Sequence, residues 1–181
     1  MNFDPQSGLL GEAMYIASPN CDERPANTCI DLIVIHNISL PPQQFGGNEV
    51  RDFFLNQLDH SAHPFFEQLK DVRVSAHLFI RRCGELLQFV PLTKRAWHAG
   101  LSHFKGREKC NDFSIGIELE GEDEVAYTDA QYEQLNKVIK TVRHYYPAIS
   151  AENIVGHREI APERKTDPGI AFDWSRVQTK I

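Results

Sequence analysis

The chain has 181 residues, 41% of them hydrophobic and 24% charged, with 25 acidic against 19 basic side chains and a formal charge of −6. This suits a single globular domain with a core of its own. The acidic balance excludes general nucleic-acid binding, which needs a basic surface to displace phosphate counterions. The longest apolar run, Leu32-Ile33-Val34-Ile35, is far short of the ~20 residues that span a bilayer, so no membrane partner is expected.

The segment Met1-Asn2-Phe3-Asp4-Pro5 lacks the basic region and apolar stretch of a secretory signal, which predicts a cytoplasmic protein. Cys21, Cys29, Cys83 and Cys110 contain no CxxC pair. An even count permits two disulfides, but without an export signal free thiols are expected.

In chain order, residues 1–28 are rich in Pro, Asn and charge and read as an irregular N-terminal arm, leaving 29–181 as the domain proper. Cys29 to His36 reads as a strand buried on both faces, because its β-branched run is continuous. Pro41-Pro42 stops any regular element after it. Asn48 is placed to cap a helix to about Leu58, with Val50, Phe53, Phe54 and Leu58 inward. Val74 to Ile80 and Glu85 to Val90 read as a hairpin turned by Arg81-Arg82-Cys83-Gly84. Phe113 to Glu120 is a further strand, whose alternation puts Ile115, Ile117 and Leu119 on one face and Gly116, Glu118 and Glu120 on the other. Thr128-Asp129-Ala130-Gln131 has the form of a capping box. The helix it opens carries Leu135, Val138, Ile139, Val142 and Tyr146 at helical spacing. Ile154 to His157 is a short strand, followed by a polar loop to Gly169 and a last short helix near Trp174. The mixture predicts an α/β or α+β domain, a central mixed sheet flanked by helices.

Two predicted strands end in histidine, His36 and His157, and Asp167 lies in the loop that follows the second. Ligand sites in open α/β sheets gather at strand ends, and two imidazoles with one carboxylate can hold a catalytic zinc with a fourth position open. The same three residues are also compatible with hydrogen-bonded strand ends and a turn cap before Pro168-Gly169. Glu118 and Glu120 share a face of an apolar strand, where a carboxylate either meets solvent or handles a proton for a zinc hydrolase. Arg164 and Lys165 place two cations beside Asp167. A lysine there is able to stabilise an oxyanion, while a charged loop is equally able to be simply solvated. Trp97 suits a sugar ring or the core. His77 reads as a satisfied strand histidine, and His60, His63, His103 and His144 as loop or surface residues.

Together these segments resemble a known family. Val34-Ile35-His36-Asn37-Ile38-Ser39-Leu40-Pro41-Pro42, Val74-Ser75-Ala76-His77, Ala96-Trp97-His98-Ala99-Gly100, the run Asn111 to Gly121, and Gly156-His157 with Ala161 to Gly169 look like the type 2 family of N-acetylmuramoyl-L-alanine amidases. That family includes phage amidases and the animal peptidoglycan recognition proteins. The resemblance, from about Cys29 to Trp174, is to its cytosolic branch in Gram-negative bacteria, which acts on 1,6-anhydro-N-acetylmuramyl-L-alanine.

The resemblance implies a peptidoglycan-recognition-like fold and one zinc ion on His36, His157 and Asp167. Asp167 stands where phage and animal members often have Cys. It implies that Glu118 activates water and Lys165 holds the oxyanion. Asn37, Arg73, Trp97, Lys109 and Arg164 match positions lining a muropeptide pocket. Lys109 departs from an expected arginine, keeping the charge but losing the bidentate fork. The implied reaction is hydrolysis of the muramyl–L-alanine amide of anhydro-muropeptides by a monomer in peptidoglycan recycling, which indirectly restrains β-lactamase induction. Other readings are an exported amidase acting on intact murein, and a catalytically inactive peptidoglycan-binding module. The missing signal weighs against the first, and the complete ligand set against the second.

Overall fold

The structure is a computed structural model that describes residues 1–178. Residues 179–181, the last three of the predicted 29–181 domain, lie outside the described residues. Six strands form one mixed sheet: β1 (Met14–Tyr15), β2 (Leu32–Ile38), β3 (Leu78–Ile80), β4 (Leu86–Gln88), β5 (Ser114–Glu120) and β6 (Ile154–Gly156), in the order β6-β2-β5-β3-β4-β1. β6, β2, β5 and β3 run parallel. β4 turns back antiparallel to β3 through Arg81-Arg82-Cys83-Gly84, as the hairpin reading requires. The helices are α1 (Glu49–Phe54), α2 (Asp129–Tyr145) and α3 (His157–Ile160), and the 3-10 segments include a two-turn stretch at Pro64–Leu69 and a single turn at Trp174–Arg176.

β2 and β5 are buried on both faces, which explains the unbroken apolar run Leu32 to Ile35 in β2. Ile33 and Ile35 of β2 and Ile115, Ile117 and Leu119 of β5 face α2, meeting Leu135, Val138, Ile139 and Val142. On the other face Leu32 and Val34 pack with Ala99, Cys110, Phe113 and Ile160. Farther along, Phe79 and Leu87 pack with Val50, Phe53, Phe54 and Phe66. His36 and Glu118 lie on this second face, on the same side as Val34 and Gly116.

α2 begins as predicted. Thr128 Oγ1 accepts from the Gln131 amide at 3.2 Å and donates to the Arg82 carbonyl at 2.6 Å. The Gln131 side chain closes the capping box and donates from Nε2 to the Glu120 carbonyl at 2.9 Å. One turn of helix is thereby tied to the exit of β5 and to the hairpin.

Several boundaries differ from the sequence reading, each for a local reason. β2 runs from Leu32 through His36 to Ile38, because its pairing with β5 continues past the histidine. α1 stops at Phe54: Asn56 adopts φ +58°, a left-handed conformation that ends a helix. Leu58 is still buried, but beyond the helix. Residues 74–77 are not a strand. Their amides bond to two different neighbours, Ser75 N–H to the Trp97 carbonyl and His77 N–H to the Gly116 carbonyl. His157 opens α3 rather than closing β6.

The arm contains ordered pieces. Phe3–Asp4 pairs with Leu9–Leu10, β1 pairs with β4, and Cys21–Asp22 pairs with Arg95–Ala96. Arg24 is a half-buried plug, with Nη1 donating to the carbonyls of Asn111 and Asp112 and Nη2 to those of Leu92 and Ser114. All four cysteines are unpaired, as expected. Among the described residues no helix is long and apolar enough to cross a membrane.

Replacing Thr128 with alanine removes the cap and the bond to Arg82. Urea denaturation should show a loss of about 1–2 kcal/mol with an unchanged m-value.

Candidate metal centre and active site

The parallel register sets Glu118 directly beside His36 on the neighbouring strand. β6 ends next to β2, so His157 emerges alongside them at the C-terminal edge of the parallel strands. The loop after α3 brings Asp167 back over the sheet. Three contacts hold that loop: the Asp167 carbonyl accepts from the Arg158 amide at 3.1 Å, and the Pro168 carbonyl accepts from Tyr127 Oη at 2.8 Å and from Asn37 Nδ2 at 3.1 Å. Gly169, at φ +83°, lies against the Asp123 backbone so closely that any Cβ would collide with it.

His36, His157 and Asp167 therefore converge as the sequence predicts, and they form a group able to hold a metal ion. Their inner atoms make a tight triangle. His36 Nδ1 is 2.9 Å from His157 Nδ1, and each is 3.1 Å from Asp167 Oδ2. The outer nitrogens are engaged elsewhere: His36 Nε2 lies 2.9 Å from His98 Nδ1 and His157 Nε2 lies 3.2 Å from the Ala99 carbonyl. A tetrahedral zinc with bonds of about 2.0–2.1 Å spaces its donors roughly 3.4 Å apart, close to this triangle. Two imidazoles and one carboxylate suit zinc rather than calcium or magnesium, which prefer all-oxygen shells. The residues present thus fit the ion.

Burial decides the charge states. It lowers the His36 pKa to about 4, against the opposing pull of Asp167, so the ring is neutral as a ligand must be. Burial alone would raise the Asp167 pKa, but hydrogen bonding with His157 and His36 outweighs it and holds the carboxyl well below the usual range.

The two glutamates of β5 separate cleanly. Glu120 is consumed by structure, its oxygens accepting from the amides of Gly46 and Arg82. Glu118 is buried with Oε2 lacking any hydrogen-bond partner. Its pKa is raised well above the ordinary carboxylate value, first by burial and then by the negative charge of Asp167, with Lys165 opposing.

These groups line a cleft of about 510 Å³ together with Asn37, Asp123, Arg164 and Lys165, within the usual size of small-molecule sites. Asn37 is half-buried, and its amide nitrogen also donates to Asp123 at 2.9 Å. Arg164 and Lys165 diverge. Arg164 Nη2 donates to the carbonyls of Ala99 and Leu101, both at 2.8 Å, and lies between this cleft and a neighbouring one of about 560 Å³. Lys165 interacts electrostatically with His36 and Glu118. Exposed Lys109 lines only the neighbouring cleft, at φ +59°. Arg73 is exposed, with Nη1 donating to the carbonyls of Lys70 and Val72, and half-buried Trp97 donates its backbone amide to Ser75 Oγ. Neither lines the central cleft, although Val72 and Ser75 do. The sequence reading gave no role to His98, whose ring touches His36. Its position in the aromatic-and-small run 97–100 carries no period or motif that points to a metal.

The class of protein follows from comparison. The family model for N-acetylmuramoyl-L-alanine amidase matches residues 25–170, and the chain belongs to that family of amidases. The chain is 56% identical to the 1,6-anhydro-N-acetylmuramyl-L-alanine amidase AmpD of Salmonella typhimurium strain SL1344, over 98% of this chain and 94% of the relative. The crystal structure of a selenomethionine derivative of AmpD superimposes with a TM-score of 0.94 at 55% identity, covering 98% of this chain and 97% of that one. The fold is also similar to that of AmiD from E. coli, solved with the substrate anhydro-N-acetylmuramic acid-L-Ala-D-gamma-Glu-L-Lys (TM-score 0.61, 30% identity, 86% of this chain and 59% of that one).

The state of Glu118 has a thermodynamic signature. An acid whose folded-state pKa exceeds its unfolded value binds its proton more tightly when folded. Stability is then fullest below the ordinary value of 4.5 and declines as pH rises above it. Glu118→Gln removes that decline. In metal-free protein the variant should melt above the parent at mildly alkaline pH, with the gap closing in acid. A gap that does not change with pH would contradict this account.

Proposed function

We propose that this amidase hydrolyses the amide between N-acetylmuramic acid and L-alanine in anhydro-muropeptides, using one zinc ion on His36, His157 and Asp167. The observation that carries the chemistry is the buried Glu118 carboxyl, unpartnered at Oε2, beside a converging set of two imidazoles and a carboxylate. Similarity over nearly the full length to amidases named for the 1,6-anhydro sugar supports the substrate. The enzyme works as a monomer in the cytoplasm, in peptidoglycan recycling, and by clearing anhydro-muropeptides it restrains β-lactamase induction.

When bound, zinc lowers the pKa of a water molecule and polarises the amide carbonyl. Glu118 takes the proton released by the attacking water and delivers it to the departing L-alanine nitrogen. Its raised pKa suits both halves of that transfer. Lys165 stabilises the developing oxyanion. Arg164 and Lys109 flank the neighbouring cleft and offer positive charge to the carboxylates of the stem peptide. Asn37 steadies the Asp167 loop and lines the cleft, where its amide can meet the ligand, while Arg73 and Trp97 stand beyond its lining.

Mass spectrometry of an anhydro-muropeptide incubated with the enzyme, with and without a chelator, tests the reading. The anhydro-muramyl sugar and the free peptide should appear only without chelator. Asp167→Ala should lose zinc, whereas Glu118→Ala should retain it and lose turnover. Retention of full zinc affinity by Asp167→Ala would overturn the ligand assignment.

Steady-state kinetics separate the two cations. Loss of an oxyanion donor typically costs roughly 100- to 1,000-fold in turnover, so Lys165→Ala should lower kcat at little change in KM. Arg164→Ala should chiefly raise KM, as loss of uniform binding does. Two variants that lose only affinity would make Lys165 a binding residue.

A further inference from the structure

We propose that His98 is a positioning residue: it holds His36 in the tautomer that leaves Nδ1 bare for the metal, and with Ala99 it forms one outer shell for both ligand histidines. The inference rests on the zinc reading above but concerns residues to which that reading gives no part.

The two ligand histidines present different problems. His157 Nε2 faces a carbonyl, that of Ala99 at 3.2 Å. A carbonyl only accepts, so Nε2 carries the proton and Nδ1 is bare. His36 Nε2 faces another imidazole nitrogen, His98 Nδ1, at 2.9 Å, and that atom can donate or accept. The tautomer of His36 is therefore linked to that of His98. His98 Nε2 in turn lies 3.1 Å from Ser114 Oγ. With the metal bound, the chain runs in one direction. His36 Nε2–H donates to His98 Nδ1, and His98 Nε2–H donates to the serine oxygen. The opposite order puts a proton on His36 Nδ1, where the ion must bind.

The surroundings hold the His98 ring in that place. It stands in the hole left by Gly116, where any Cβ would strike Cγ. The backbone amides of His98 and Ala99 both donate to Asn111 Oδ1, at 3.1 and 2.8 Å. One amide oxygen thus fixes the outer partners of both ligands. Behind His98, the His77 ring lies edge-on at 5.7 Å, accepting from the Gly116 amide at Nδ1. His98 borders the cleft, Ala99, Ser114 and His77 behind it are buried, and the shell is attached to β5 through Ser114, Gly116 and His77.

Outer-shell partners of metal-bound histidines commonly contribute 10- to 100-fold in metal affinity. His98→Phe keeps an aromatic ring but removes the acceptor, whereas His98→Asn keeps an acceptor oxygen near the place of Nδ1. Zinc affinity, measured by competition with a chromophoric chelator, should fall roughly 10- to 100-fold in His98→Phe and recover in part in His98→Asn. Loss of the bonds to His36 and Ser114 should also lower the melting temperature of the metal-free phenylalanine variant, so affinities are compared on folded protein. Wild-type affinity in folded His98→Phe overturns the proposal and leaves the ligand assignment intact, since Asp167→Ala tests that separately. Nitrogen-15 NMR of the imidazoles in the zinc-loaded parent decides the matter even if no variant folds. Protons on Nε2 of both His36 and His98 are expected, and a proton on His98 Nδ1 refutes it.

Discussion

The register between β2 and β5 is the constraint from which the site follows. Seven consecutive residue pairs, Leu32 with Ser114 through Ile38 with Glu120, run parallel without a bulge. A slip of one residue would turn His36 or Glu118 toward the α2 core and an isoleucine toward the cleft. Both faces resist this. The odd-numbered residues fill a core in which Ile33, Ile35, Ile115 and Ile117 have no exposed surface. An unpaired carboxylate placed there would cost several kcal/mol. The apolar side of the sheet thus aligns the reactive side without touching it.

Along β5 the reactive face reads Ser114, Gly116, Glu118, Glu120, and each residue meets a different demand. Ser114 supplies a hydroxyl to His98, and Gly116 supplies the space in which that ring stands. Glu118 and Glu120 differ only in what reaches them. Two backbone amides donate to the Glu120 oxygens, so it serves as a clamp between the loop at Gly46 and the hairpin turn at Arg82. None reaches Glu118 at Oε2, so it stays available for proton transfer. Identical side chains two residues apart take different roles because both Glu120 oxygens are held by backbone amides while Glu118 Oε2 meets no donor.

The legible parts of the fold were those written in local periodicity. The β-branched run of β2, the alternation of β5, the turn at Arg81 to Gly84 and the Thr128–Gln131 box each depend on neighbours within one element. The convergence of His36, His157 and Asp167 was legible because histidines near strand ends and a loop aspartate form a chemical set, to which the family resemblance added order. What escaped depends on contacts between distant segments. Residues 74–77 look like a strand because they are apolar and extended, but their amides serve two other segments. Arg24 sits in a stretch that reads as irregular and polar, yet its guanidinium is capped by four backbone carbonyls from residues 92 to 114. His98 reads as one more histidine until Gly116, Asn111 and His36 are brought around it. Local pattern does not distinguish Glu120 from Glu118, which only the family resemblance singles out, because the amides that hold Glu120 come from Gly46 and Arg82.

The electrostatics of the cleft explain why a buried, pKa-raised carboxyl and a metal set belong together. Burial raises the Glu118 pKa, the charge of Asp167 raises it further, and Lys165 lowers it. A divalent cation held by Asp167 and the two imidazoles would leave a net positive charge at the set, act on Glu118 with the same sign as Lys165 and oppose the contribution of Asp167. Such a charge would oppose the rise that burial and Asp167 impose on the Glu118 carboxyl. Asp167 has two consequences that depend on the ion. It destabilises the charged form of Glu118 when it stands alone, and it places the compensating charge when it is a ligand. On this reasoning the third ligand helps to set the strength of the base, and exchanging it for a neutral donor would change the pH dependence of turnover as well as the affinity for zinc.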